Sequence, residues 1–519
     1  MRESTVRHLF NEAGDRQRVR EGLRQAAACR WRIALVMACY MIWMVAGCSG
    51  PSLSLGSSSV GIAVPVWMGP LACMALASVV IAVWFKKTRK VPASPSWMVA
   101  LVSLMTLASV LHLVWALDLS LPSAVRDSLY LLSSAVMGVG CALFRIEIDR
   151  VFGWIGTQQT LYQGILSTSV ASCGFIALAV VGGVTGLASA PLFIVSLVLP
   201  SVGALLLQRV VKGFPKMRYF GHGREVELPF PTKFVVTSCV QGVAAGALFM
   251  GTFLLFESDI EPALMELRYI DDVVLRSVGQ ILAVGLLLAT LVFLRLDFNR
   301  LIYKVAFPFV AAGFVLFALM PQTMIIGSTV LAVAFCYLDL VLWSLGACLM
   351  KNMGLPATWI ASCPGAALFC GAVVGGIVTF AFLGDRTGPD AALLASLVAC
   401  FVLGTALLLS SGSNLKYGWG TVLPSDSSLA AGNLAGVVKF VATEREITQR
   451  ESEVMLLLAE GKTRRAICED LSVSPDTVKT HVRSIYRKLA VHSQQELVDY
   501  LAREREELSA DGSEHALEG

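Results

Sequence analysis

Ser474-Pro475-Asp476-Thr477-Val478-Lys479-Thr480-His481-Val482-Arg483-Ser484-Ile485-Tyr486-Arg487-Lys488-Leu489 is the stretch that decides the fold of the C-terminal part of this chain. Ser474 is a good N-cap, and Pro475 suits the first helical position because its missing N–H would have had no partner there. Asp476 places its charge in the first turn, against the positive end of the helix dipole. A helix is therefore expected from Pro475. It has two faces. Val478, Val482, Ile485 and Leu489 follow at spacings of four, three and four, which is the stripe a helix buries. Lys479, Arg483 and Arg487 recur every four residues on a neighbouring face, with Thr480 beside them.

Working outward, three more helices are expected. Thr448, with Glu451 three places on, makes a capping box ahead of Val454, Leu457 and Leu458, and Gly461 stops that helix. Thr463 caps a short helix carrying Ile467 and Leu471, and Ser493 with Glu496 opens a fourth. A cationic stripe on a helix that follows a tight turn suits the major groove of duplex DNA. Periodicity alone leaves a solvated charged surface as an equal alternative.

Thr448-x-Arg450-Glu451, Leu458-Ala459-x-Gly461, Ser474-Pro475-x-Thr477-Val478-Lys479-x-His481-Val482 and Lys488-Leu489 together resemble the LuxR-type helix-turn-helix signature over some 55 residues. The resemblance implies that the third helix enters the major groove. Lys479, Thr480 and Arg483 would approach bases or phosphates, with Ser474, Thr477, His481, Arg487 and Lys488 completing the DNA-binding set. It also implies a dimer contact on the fourth helix, Gln494 to about Arg503, through Leu497, Val498 and Leu501. Two positions depart from the family: Ala466 stands where Glu is usual, which removes the reciprocal half of a capping box at Thr463, and Cys468 stands where Ala is usual. From Thr443 to Arg505 there are eleven basic and eleven acidic residues, so the positive field is local to the third helix. DNA binding should then depend on pairing of protomers more than on bulk charge.

Upstream the chemistry changes. Of the 519 residues 56% are hydrophobic and only 15% charged, where a soluble domain carries about 25% charged. The excess lies before Ser411. Twelve apolar runs are expected to span a bilayer: Ile33 to Cys48, Val60 to Phe85, Trp97 to Leu117, Leu129 to Phe144, Leu161 to Val181, Leu187 to Leu207, Phe234 to Phe256, Val273 to Leu294, Val305 to Met320, Met324 to Met350, Trp359 to Leu383 and Ala391 to Ser410. The fold class is thus all-α: a polytopic bundle of about twelve spans in two six-helix halves, followed by a four-helix DNA-binding domain. The expected boundaries are a basic N-terminal segment at 1–32, the bundle at 33–411, a Gly- and Ser-rich tether at 412–446, the helix-turn-helix domain at 447–505 and a tail at 506–519.

Lys and Arg set the orientation. Arg2 to Arg32, Lys86 to Lys90 and Arg209 to Lys233 are basic, whereas 49–59 has no charge and 257–272 is acidic with Arg268 its only base. The alternation puts both termini in the cytoplasm, with the bundle in a bacterial cytoplasmic membrane. Two sets of six spans about a long basic loop resemble the layout of the major facilitator superfamily, although that family's Gly-Asp-Arg-Gly loop signature is absent. Val45-Ala46-Gly47-Cys48 matches a lipoprotein cleavage pattern, but the segment before it is long for a signal peptide and more spans follow. The thirteen cysteines include no CxxC pair and read as small apolar packing residues.

No receiver or soluble ligand domain has room upstream, and there is no GxxxxGK[ST] phosphate loop. No catalytic set, metal or cofactor is expected. The input is expected through the bundle: a small-molecule or membrane signal sensed near the midplane. Asp339, inside an apolar run, is the first candidate, because an acid at that depth is expensive. A structural pairing with Arg276 is the competing account. Tyr337, Trp343, Arg276 and His112 are the other candidate ligand contacts. Two other functions stay open: a secondary transporter with a fused DNA-binding domain, and a regulator released by proteolysis. The expected partners are a double-stranded DNA operator, the lipid bilayer, an unidentified small molecule and a second copy of the chain.

Overall fold

Hydrocarbon offers backbone N–H and C=O groups no partner, so a chain with apolar runs of this length closes its hydrogen bonds within helices. The computed structural model describes residues 31–48, 53–55, 62–88, 95–116, 122–155, 157–185, 190–212, 231–256, 262–291, 298–319, 324–353, 355–383, 389–410, 437–438, 441–442, 444–501 and 504. The basic N-terminal segment before Trp31, the stretch between Ser410 and Val437, and the tail lie outside them.

The described helices of the bundle are α1 (Trp31–Gly47), α2 (Met68–Thr88), α3 (Pro95–Ala116), α4 (Ser123–Ile155), α5 (Thr157–Thr185), α6 (Ala190–Lys212), α7 (Thr232–Phe256), α8 (Pro262–Ala289), α9 (Phe307–Leu319), α10 (Met324–Met353), α11 (Ala357–Leu383) and α12 (Pro389–Ser410). Each expected span finds its helix. Among the described residues ten stretches, not twelve, are long and apolar enough to cross a bilayer; Trp31–Gly47 and Val274–Ala289 are apolar helices of shorter length. Large apolar side chains such as Leu76, Val184, Leu205, Leu407 and Leu408 lie exposed on the outside of the bundle, as lipid contact requires.

Several boundaries differ from the hydropathy reading. The fourth span does not stop at Phe144 but continues as helix to Ile155. Its charges are accommodated by pairing: Arg145 with Asp149 at 3.4 Å and Arg150 with Glu147 at 2.5 Å. The acidic stretch read as a loop is largely helix, since α8 begins at Pro262. The ninth span begins earlier, with a π-helical turn, Arg300–Ala306, that leads into α9 and keeps Arg300 and Lys304 exposed at its start. The charge-free loop after α1 contains a small antiparallel hairpin, β1 (Leu53–Leu55) on β2 (Ile62–Val64), with Leu53 opposite Val64.

Helices α1 to α6 pack mainly among themselves, as do α7 to α12, and the two sets meet where α2 lies on α11, α5 on α8 and α10, and α4 on α10 and α11. The tightest crossing is α7 on α11. Gly242 and Gly246 face the backbone of Leu368 and Ala372, while Gly371 and Gly375 face Cys239 and Val243, and a Cβ at any of the four would collide with main chain. Small residues bring helices together this way in lipid, where dispersion rather than water exclusion holds them. At the end of α12, Lys233 Nζ donates to the Leu409 carbonyl at 3.2 Å, a cation placed on a helix C-terminus.

The C-terminal domain has its own core. Helices α13 (Gln449–Ala459), α14 (Arg464–Leu471) and α15 (Pro475–Leu489), with residues 494–501 also helical, enclose Val454, Met455, Leu458, Ile467, Val478, Val482, Ile485, Leu489 and Leu497. Val437, Val438 and Val441, assigned from sequence to the tether, are buried in the same core, so the domain starts before Ile447.

Candidate nucleic-acid interface and membrane cavity

The caps expected from sequence form the frame of the interface. Thr448 Oγ1 accepts from the Glu451 amide at 3.3 Å, and Glu451 Oε2 accepts from the Thr448 amide at 2.8 Å, a complete capping box. The first helix ends at Gly461, φ 83°, where Gly461 N donates to Leu458 O and Lys462 N to Leu457 O, the paired bonds of a Schellman stop. Thr463 Oγ1 accepts from the Ala466 amide at 3.3 Å and Ser474 Oγ from the Thr477 amide at 3.2 Å. Between α14 and α15 the chain turns over Ser472, Val473 and Ser474, with Ser472 in the left-handed conformation at φ 54°. Ser493 Oγ accepts from the Glu496 amide at 3.1 Å, but the Glu496 carboxylate returns to the His492 amide rather than to Ser493.

On α15, Val478, Val482, Ile485 and Leu489 are buried while Lys479, Thr480, Arg483 and Arg487 are exposed together. Thr480 Oγ1 donates back to the Asp476 carbonyl at 2.9 Å, and Ser474 and Thr477 stay exposed at the helix start, with His481 half-buried beside them. Two expectations need correction. Lys488 does not belong to the DNA-facing set: its Nζ donates to Glu451 Oε2 at 2.7 Å and to the Glu446 carbonyl at 2.8 Å. Burial works against the charge on Glu451, yet the hydrogen bonds from Lys488, Ser484 and Thr448 outweigh it and bring the carboxyl from 4.5 down to about 2. Leu497 and Leu501 do not form a dimer stripe either. They are 0% and 2% exposed and belong to the core of their own domain, leaving only Val498 of the three partly open. Gln494 likewise turns inward, its Nε2 donating to the Leu458 carbonyl at 2.8 Å.

Inside the bundle the candidate ligand residues separate. Asp339 and Trp343 line a cavity with Arg145, Asp149, Ser238 and Gln241 where α4, α7, α10 and α11 meet. Gln241 Nε2 donates to Asp339 Oδ1 at 2.6 Å, and the Arg145 guanidinium lies 5.6 Å from the Trp343 ring centre. Asp339 is fifteen residues into the 30-residue α10, about 22 Å along it, close to the bilayer midplane. Its partner is Gln241, and Arg276 instead lies exposed over the Phe249 ring, at 5.1 Å. Tyr337 turns away to share a hydrogen bond with Thr290 at 3.0 Å. His112 packs between Trp115 and Phe193, 5.2 and 5.5 Å from their ring centres, also away from the cavity. The residues missed from sequence, Arg145, Asp149 and Gln241, come from α4 and α7. The one available signal was the i, i+4 spacing of Arg145 and Asp149.

Residues 445–501 match the family described as bacterial regulatory proteins, luxR family. Over 57 residues the chain is 44% identical to the uncharacterized response regulatory protein YgeK of Escherichia coli, which is 11% of this chain and 39% of that protein. It is 42% identical to the transcriptional regulatory protein LiaR of Bacillus subtilis over 57 residues, 11% of this chain and 27% of that one. With the HTH-type transcriptional regulator MalT of Yersinia pestis the figure is 40%, over 11% of this chain and 6% of MalT. The chain thus spans well under half of these curated relatives, and the shared part is the C-terminal domain.

The bundle is similar to a bacterial homologue of the iron transporter ferroportin in an outward-facing state, with TM-score 0.51 and 11% identity over 74% of this chain and 98% of that one. It is also similar to FucP, a Major Facilitator Superfamily transporter, with TM-score 0.47 and 14% identity over 73% and 99%. Residues 445–501 are thus a LuxR-type helix-turn-helix domain, joined to a bundle of apolar helices that shares its fold with the bacterial ferroportin homologue.

Proposed function

We propose that the protein is a membrane-bound one-component transcription regulator. It reads a double-stranded DNA operator through α15 while the bundle receives the signal. The observation that carries this reading is the exposed set of Lys479, Thr480, Arg483 and Arg487 on α15, backed by a fully apolar buried face, on the same chain as ten helices long and apolar enough to cross a bilayer. Transcription regulation is what the names of LiaR and MalT state for those proteins, and it comes to this chain through the shared domain. In this reading the bundle lies in a bacterial cytoplasmic membrane with both termini inside, and the chain is a regulator, not an enzyme. Two copies pair on DNA with recognition helices about one turn, some 34 Å, apart. With basic and acidic residues balanced across the domain, a single copy binds weakly at physiological salt, and control by the bundle acts through pairing.

The experiment is operator binding by the C-terminal domain and its Lys479→Ala and Arg483→Ala variants. Each lost base contact costs about 1–3 kcal/mol, and unchanged affinity in the double variant with helicity intact removes the assignment. A second reading, a transporter that carries a DNA-binding domain, is favoured by the likeness of the bundle to a transporter fold. Uptake of candidate solutes into vesicles holding the full chain separates the two.

A further inference from the structure

The cavity between the two halves carries an unbalanced charge. Arg145 and Asp149 on α4 pair at 3.4 Å, and Asp339 on α10 stands within electrostatic reach of Arg145. With both carboxylates ionised, one guanidinium against two leaves one negative charge within the bundle, where uncompensated charge is expensive. The neighbouring groups do not cancel it. Glu147 and Arg150 on α4 pair with each other, and the Tyr40 hydroxyl near Arg145 and the Cys336 thiol near Asp339 are uncharged at neutral pH.

A second, independent observation points to what balances it. Gln241 is 5% exposed, its amide nitrogen is committed to Asp339, and its Oε1 is buried with no hydrogen-bond partner. A buried, unpartnered carbonyl oxygen costs free energy that a cation or a donor would recover. Gln241 lines the same space as Asp339 and Ser238, and the free volume there is about 20 Å³, room for one water-sized group.

We propose that this space is a binding site for one compact monovalent cation, a sodium ion or an ammonium group, held by the Asp339 carboxylate, Gln241 Oε1 and the Ser238 hydroxyl. One positive charge neutralises the cluster. A divalent ion would overcompensate it and would lack its usual donors, since no group of three His, Cys, Asp or Glu side chains stands together among the described residues. A bare proton on Asp339 would neutralise the charge but would need no room. The donors lie on α7 and α10 of one half and the Arg145–Asp149 pair on α4 of the other, so occupancy adjusts the charge where the halves meet. The inference goes beyond the DNA-binding reading, and its test measures binding rather than transcription, so the two fail separately.

The test is thermal unfolding of the full chain in nanodiscs, with sodium, ammonium or protons varied against choline at constant ionic strength. Sodium or ammonium is expected to raise the midpoint saturably, by about 3 °C or more at saturation. Asp339→Asn is expected to raise the half-saturating concentration at least about tenfold. Should Asp339→Asn not fold, Ser238→Ala, which removes a neutral donor, is expected to raise it about threefold. A wild-type midpoint that follows pH but ignores sodium and ammonium overturns the proposal in favour of a proton. A midpoint insensitive to all three, or a cation response unchanged in both variants, overturns it outright.

Discussion

Lys488→Met tests whether the third helix is locked to the first by a charge pair rather than committed to DNA. Methionine keeps most of the apolar stem, so the loss isolates the ammonium. Glu451 is 6% exposed and its carboxylate accepts from the Thr448 amide, the Thr448 hydroxyl and Lys488. A fall from 4.5 to about 2 corresponds to about 3 kcal/mol in favour of the charged form, shared among these donors. A hydrogen bond to a charged partner contributes about 1.5–3 kcal/mol. Removing the one cationic donor should therefore destabilise the C-terminal domain by about 2 kcal/mol. The sign of the pH dependence follows from the depressed carboxyl: its contribution is fully present above about pH 4.5 and is lost as pH falls toward 2. In Lys488→Met that acid-dependent part should shrink, so wild type and variant converge in stability as pH drops. Urea unfolding of residues 437–519, followed by circular dichroism between pH 7 and pH 3, measures both effects. A loss below about 0.5 kcal/mol, or an equal loss in a Glu451→Gln background, refutes the coupling.

Other outcomes follow from the same geometry. Ala490 ends α15 at φ 54°, a left-handed conformation that costs a residue with a Cβ about 1 kcal/mol, so Ala490→Gly should stabilise the domain by up to that amount in the same urea assay. Gly246→Leu places a side chain where α7 meets the Ala372 main chain, and should sharply lower the yield of folded full-length protein, measured by size-exclusion chromatography in detergent. Reporter fusions after Leu207 and after Ser411 should read cytoplasmic, and one within 257–261 exterior; a cytoplasmic signal from that last site would overturn the span count.

The parts of the fold readable in advance were those where local chemistry decides. Apolar runs of bilayer length found their helices, and Thr448, Thr463, Ser474 and Gly461 cap or stop theirs because each satisfies backbone groups within a few residues. What escaped depends on partners distant in sequence. Arg145 and Asp149 looked like the end of a span because hydropathy counts each charge singly, whereas paired charges on α4 can enter the bundle. Leu497 and Leu501 had the right spacing for a buried stripe, but spacing does not say whether the covering surface belongs to the same chain; here α13 to α15 cover them. Lys488 matched the signature, yet its ammonium is held by Glu451, 37 positions away, so identity alone could not separate a DNA contact from a packing contact. Val437 and Val441 lie in a short apolar run, Leu434 to Ala442, that went to the tether because the Gly- and Ser-rich sequence before it set the composition of the whole stretch.

A chain still embedded in the membrane should engage DNA through α15. Crosslinking the full-length protein in cells, isolating the membrane fraction, and sequencing the DNA recovered with the intact 519-residue chain tests it most directly. Discrete enriched DNA sites are expected with the wild type, and their loss in Lys479→Ala/Arg483→Ala at equal membrane abundance. Enrichment that survives in the double variant, or that travels only with a shorter soluble fragment, would contradict it.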